Sequence, residues 1–300
     1  MITTRDQQQL YVRVTGQGQP VLVLSGLGMD SKQWLPFFVP YLSQFKFYIP
    51  DFRGFGGSVA TPFTQPDVFN NHMQDVEDVV EHFQLKDFLL IGYSLGASTS
   101  MHWMQNGNFA TQSIRRYLHI DQTPCIHNTA DWPYGLMGPK QAEFMAGLQQ
   151  LLGILQQHPA DSLICDMPVN DRQQLLDIWA PVLASMTNKS LPKLVVKLAA
   201  KYKTLFNLLV PFSTVYFMSA YLVAYQNQRH DYRQAIAAID IPVTFFIGKL
   251  SQLYALEGQQ VIAQSVNQHH VVVFEQSGHM PLLNEPIDFL KALGGFLRLG

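Results

Sequence analysis

The sequence predicts an α/β fold: a mostly parallel, doubly wound sheet with a helical segment inserted between two neighbouring strands. Three observations carry this reading. Continuous apolar runs at 20–24 and 88–91, and the mostly apolar stretch 241–247, have the character of strands buried on both faces. Stretches of helical apolar periodicity separate the early runs, as the crossovers of a parallel sheet require. The alternation stops after residue 121 and resumes only at 241, with almost nothing strand-like between.

Taken in order, weak alternation over 9–14 and a turn at Thr15-Gly16-Gln17-Gly18-Gln19 predict an opening hairpin. The buried strand 20–24 follows and ends in Ser25-Gly26-Leu27-Gly28. A helix is expected next, with Asp30 or Ser31 as N-cap and Trp34, Phe37, Phe38 and Leu42 on its buried side. Residues 45–49 are the next strand, leading into Asp51-Phe52-Arg53-Gly54-Phe55-Gly56-Gly57-Ser58. Val68, Met73, Val76, Val79, Val80 and Phe83 recur on one face of a helix over 67–83. The strand 88–91 then runs into a helix over 97–104, and 116–120 is another strand, ending at Asp121. After the insertion, strands at 241–247 and 270–274 and a helix over 285–299 close the chain. The expected division is a core domain of residues 1–122 and 241–300, with 123–240 as a helical cap or lid.

Two stretches of the insertion stand out. Lys189, Lys193, Lys197 and Lys201 recur every four residues, with Lys203 nearby and no acidic residue among them. On a helix they form a basic stripe opposite Leu194, Val195, Leu198 and Leu205, either an anionic-surface contact or a solvated face. Residues 204–228 carry no charge, and 208–225 are mostly apolar. Their length would allow a membrane span. Strands on both sides belong to one sheet, however, and a single crossing would separate them. A buried helix pair lining an apolar pocket is expected, with shallow membrane-surface contact as the alternative.

Composition narrows the function classes. Hydrophobic residues make up 47% of 300, but charged residues only 14%, against about 25% in ordinary domains. The net charge of −2 gives no electrostatic case for nucleic acid. Cys125 and Cys165 are too few for a disulfide framework and lack metal-type spacing, so no cofactor and no metal are expected. The N-terminal Met1-Ile2-Thr3-Thr4-Arg5-Asp6-Gln7 has no apolar core or cleavage-like segment, which predicts no signal peptide and a cytoplasmic protein. The oligomeric state stays open.

The chemistry centres on Gly92-Tyr93-Ser94-Leu95-Gly96, placed between a strand and a helix. A serine on so sharp a corner needs small neighbours, and the corner lifts its hydroxyl off the sheet edge. Ser94 is therefore the candidate nucleophile. The Leu95 amide opens the following helix and points where an oxyanion would form; the Leu27 amide, in a glycine-rich loop at the same sheet edge, is the second candidate donor. His279, in Glu275-Gln276-Ser277-Gly278-His279-Met280-Pro281 after the last strand, is the candidate base. His102, His119, His269 and His270 read as structural.

These motifs resemble the α/β-hydrolase superfamily in its cap-bearing branch. The resemblance rests on Gly92-Tyr93-Ser94-Leu95-Gly96, on Asp51 through Ser58, and on Gly278-His279 with Glu285-Pro286 behind it, in the family's order. It implies that Asp51 and Arg53 belong to the scaffold. Ser25 stands where family members often have the first residue of His-Gly, a change that leaves the Leu27 amide in place. After the strand ending Phe246-Ile247 the family usually reads Gly-x-x-Asp, the aspartate being the acid of the triad; here the stretch is Gly248-Lys249-Leu250-Ser251.

With that location vacant, Asp121 is the candidate acid. A right-handed crossover places the strand 116–120 beside the elbow strand, so Asp121 stands on the correct rim of the sheet. Pancreatic-type lipases similarly carry the acid after this strand. Glu257 is the runner-up, and a helix-entry role for Asp121 is the structural alternative. The expected function is a serine hydrolase of carboxylic esters or thioesters with an apolar acyl group, acting on a small-molecule substrate. Lactone opening, carbon–carbon hydrolysis and perhydrolase-type haloperoxidation share the same triad. A ligand-binding or signalling protein on the same scaffold, supported by Ser251, is the alternative from another class.

Overall fold

The computed structural model describes residues 1–227 and 229–298. Strands β1 (Ile2–Thr3) and β2 (Gln9–Leu10) pair only with each other. The main sheet is built from β3 (Val12–Gly16), β4 (Gln19–Leu24), β5 (Phe45–Pro50), β6 (Phe88–Tyr93), β7 (Ile114–Ile120), β8 (Val243–Gly248) and β9 (His269–Phe274). Its order is β3-β5-β4-β6-β7-β8-β9, antiparallel only at β3 and parallel elsewhere.

The apolar runs are continuous because both faces of the sheet are covered. Leu22, Leu24 and Leu90 pack to one side with Val76 and Val79 of the helix Val68–His82. Val21, Val23, Leu89 and Ile91 pack to the other with Trp34, Phe38 and the closing helix Pro286–Arg298. Alternate side chains of one strand thus enter different cores, and both sets are mostly apolar, with His119 and Thr244 as buried polar exceptions.

Three expectations change. The turn at 15–19 does not close a hairpin, because β5 lies between β3 and β4 in the sheet. Val12↔Pro50 through Gly16↔Lys46 is the register of β3, and β4 instead occupies a doubly covered interior place. The helix expected after residue 30 is broken into three short turns, Ser31–Trp34, Leu35–Phe38 and Val39–Tyr41. Pro36 and Pro40 each remove an amide donor. Asp30 is its N-cap, accepting from the Lys32 amide at 2.8 Å. The final helix begins at Pro286 after a separate turn, Pro281–Asn284; its expected end, Leu299, lies outside the described residues.

Between β7 and β8 the described chain is helical, with only isolated bridges such as Leu163↔Thr214. The uncharged stretch divides at Pro211 into the helices Lys203–Leu209 and Val215–Asn227, and its last residue, Gln228, lies outside the described residues. Among the described residues no helix is long and apolar enough to cross a membrane. The lysines at 193, 197 and 201 flank Leu194 and Leu198 rather than oppose them: Val196, Ala199 and Ala200 form the buried face, and both leucines are exposed. Periodicity identifies faces, but which face is covered depends on the neighbouring helix.

Asp51 and Arg53 tie the loop after β5 together. The Asp51 carboxylate accepts from the Ser31 and Gly57 amides at 2.6 and 2.8 Å. The Arg53 guanidinium, buried, reaches Asp75 at 2.6 Å and Asp6 at 2.8 Å.

Candidate active site

The sheet order sets the site. Residues following β4, β6, β7, β8 and β9 share one rim, so Leu27, Ser94, Asp121, Ser251 and His279 all follow strands at the same edge. Ser94 has φ 51° and ψ −114°, a conformation costly for a residue with a Cβ. The elbow tolerates it because its flanks are bare. An added Cβ at Gly96 would collide with the Leu24 carbonyl, and one at Gly92 would lie 2.9 Å from Ala97 Cα. The Ser94 amide donates to the Ile120 carbonyl at 3.0 Å, fastening the elbow to the end of β7.

Asp121 follows at once, also left-handed with φ 42°, its amide donating to the Phe246 carbonyl at 2.9 Å. Its carboxylate is fully buried and accepts on both oxygens. Oδ1 receives the Gly248 amide at 3.1 Å and Gln259 Nε2 at 2.9 Å. Oδ2 receives Ser251 Oγ at 2.8 Å and lies 2.6 Å from His279 Nδ1. On the far side of the ring, His279 Nε2 is 2.9 Å from Ser94 Oγ. The structure therefore brings Ser94, His279 and Asp121 into one hydrogen-bonded line. Glu257 is exposed on the helix Leu256–Ser265.

His279 comes from β9, three strands away from β6, and its loop must fold back over the end of β8. Leu250 donates to the Ser277 carbonyl at 2.8 Å there, and Gly248 lies so close to Gly278 that an added Cβ would strike its carbonyl. Tyr93 stacks on the imidazole at 5.5 Å and donates from its hydroxyl to the His279 carbonyl at 3.1 Å; Tyr254 packs edge-on at 5.4 Å. Burial, reinforced by the Asp121 charge, raises the Tyr93 phenol well above its ordinary value and keeps it a neutral donor.

Leu27 is half-buried in the loop after β4, and Leu95 opens the helix Leu95–Asn106. The Leu95 amide is among the first-turn donors that have no intrahelical acceptor. Leu27, Ser94 and His279 line one narrow cavity of about 60 Å³, closed by Leu136, Phe144, Trp179, Met186 and Tyr225 of the insertion. A larger groove of about 450 Å³ runs along the insertion past Met137, Phe144 and Pro181 and contains neither Ser94 nor His279. Among the described residues no cluster of His, Cys, Asp and Glu could hold a metal ion.

Ser94 and His279 announce themselves by local motifs, whereas Gln259, Tyr93 and Tyr254 escape sequence reasoning. Gln259 reaches Asp121 only through the packing of its helix, and Tyr93 occupies a motif position open to any residue.

The α/β-hydrolase fold model matches residues 19–286, and the chain belongs to that family. Among individual proteins, it is 22% identical over 294 residues to a pimeloyl-[acyl-carrier protein] methyl ester esterase of Legionella pneumophila, covering 94% of this chain and 97% of that protein. In three dimensions it resembles an esterase from Exiguobacterium antarcticum, with a TM-score of 0.74 at 19% identity over 99% of this chain and 98% of that one. A bromoperoxidase from Bacillus anthracis superposes with a TM-score of 0.68 at 16% identity, again over 99% and 98% of the two chains.

Proposed function

We propose that this protein is a serine hydrolase of carboxylic esters with an apolar acyl group, working through an acyl-enzyme. Ser94 Oγ attacks the ester carbonyl while His279 Nε2 takes its proton. The Asp121 carboxylate holds the imidazole in the tautomer with Nδ1 protonated and balances the charge that the ring acquires. Leu27 and Leu95 amides donate to the oxyanion; one such donor is worth about 3–4 kcal/mol. His279 then returns the proton to the leaving alkoxide, and a water, activated in the same way, releases the acid and restores Ser94.

The observation that carries this reading is the line of 2.9 and 2.6 Å contacts from Ser94 through His279 to Asp121. It also favours catalysis over ligand binding alone, since the alternative drew its support from the serine at 251. The insertion, as a lid with an almost wholly apolar lining, favours acyl chains over charged or sugar substrates. The ester chemistry named for the Legionella relative, an acyl methyl ester, falls within this class.

A fluorophosphonate tests the nucleophile. It should label Ser94 stoichiometrically, and Ser94→Ala should lose both labelling and hydrolysis of p-nitrophenyl esters. Folded wild-type protein that stays unlabelled would return the ligand-binding reading to first place.

A further inference from the structure

The helices Lys193–Lys201 and Lys203–Leu209 form an unusual outer surface of the insertion. Single exposed leucines are ordinary. Here Leu194 is 67% and Leu208 79% exposed, and Leu198, Tyr202 and Leu205 between them are exposed as well. The spacing of Leu194 and Leu198, and of Leu205 and Leu208, sets each pair one turn apart on its helix. Beside the first pair run Lys193, Lys197 and Lys201, exposed and without a salt-bridge partner among the described residues; Lys203 is engaged by Asp166 at 2.6 Å.

We propose that this helix pair is a docking surface for an anionic lipid bilayer, with the lysines among the headgroup phosphates and Leu194, Leu198, Tyr202, Leu205 and Leu208 in the acyl boundary. An apolar strip flanked by cations matches that medium, which offers negative charge and hydrocarbon within a few ångströms of each other. An acidic protein would cover both only by presenting an apolar patch of its own beside its carboxylates, whereas a bilayer offers the two everywhere on its surface. Tyr202 adds a ring with one polar end, suited to the interface itself.

The surface is joined to the site. Helix Val169–Thr187 packs against Lys193–Lys201, and its Trp179 donates from Nε1 to the Leu209 carbonyl at 3.0 Å while its ring lines the Ser94 cavity. Docking thus sets the lid against the phase in which apolar esters concentrate. Only this consequence rests on the hydrolase reading; the docking itself does not.

Co-flotation with vesicles tests it, using the full chain carrying Ser94→Ala so that turnover plays no part. The protein should float with vesicles of equal parts phosphatidylcholine and phosphatidylglycerol, and much less with phosphatidylcholine alone or in high salt. Lys193→Gln/Lys197→Gln/Lys201→Gln should lower partition onto the anionic vesicles by about a hundredfold. Leu194→Ser/Leu208→Ser should lower it by about tenfold or more. Both sets should keep the circular dichroism spectrum and urea midpoint of the parent protein, which shows that they fold. A protein that stays in solution with anionic vesicles overturns the proposal. So does equal binding to neutral vesicles, or binding that the leucine substitutions leave unchanged, the mark of a purely ionic partner.

Discussion

The Asp121 carboxylate receives Ser251, Gln259 and the Gly248 amide while facing His279. Asp121→Asn should preserve the fold and lower kcat by up to about 10⁴, through loss of tautomer control and of charge balance. Ser251→Ala removes one hydrogen bond to a charged oxygen and should cost about tenfold or less. Because Ser251 Oγ lies 2.8 Å from the carboxylate oxygen that meets the imidazole, a carboxylate on either strand end can approach Nδ1. Asp121→Asn/Ser251→Asp should therefore regain a measurable part of the kcat lost in Asp121→Asn; steady-state kinetics on a p-nitrophenyl ester decide it, and a double variant no faster than the single one refutes interchangeability. At this scale the sequence is readable where chemistry is local. The elbow serine and the loop histidine sit in short motifs, the candidate acid emerges only once strand order is worked out, and Gln259 depends on a helix approach that no spacing encodes.

Elements obey the same division. Strands buried on both faces, such as β4, β6 and β8, declare themselves as runs that are almost wholly apolar. The partner of β3 does not, since pairing is decided by crossovers rather than by the turn that follows it. The close passage of the His279 loop over β8 gives one prediction. Gly248→Ala should displace Gly278 and with it the imidazole, lowering kcat more than Ser251→Ala does and lowering the urea midpoint as well, because the clash is with backbone. The insertion gives another. Each methylene buried in the cavity adds about 0.8 kcal/mol, or about fourfold in kcat/KM. Activity should thus rise from acetate to medium chains and then stop where Trp179 and Met186 close the space, and Trp179→Ala should move the optimum to longer chains. A flat chain-length profile would sink that idea.

Over the whole molecule, few charges and a large apolar interior leave several histidines buried and neutral. Burial lowers His72 to about 3, and His102 and His119 to about 4, against about 6.5 in the unfolded chain. The unfolded state therefore takes up these protons first. The histidine contribution to stability should be fully present above about pH 6.5 and fall as pH drops toward 4. Asp75, raised by burial to about 6, is protonated first in the folded state and offsets about one of the three protons, leaving a net slope of about two near pH 5. Urea unfolding at successive pH values measures it, and His119→Gln should reduce the slope by about one proton. A final consequence follows from where Asp121 stands, one residue past the end of β7 and at the root of the insertion. On the proposed mechanism, the insertion and the acid share a splice site. A chimaera joined after Ile120 takes its acid from the lid donor, whereas one joined after Gln122 keeps the host's. If the donor belongs to a lineage with its acid after β8, the first hybrid receives a lid and no carboxylate, and two residues of junction placement decide between a working graft and an inert one.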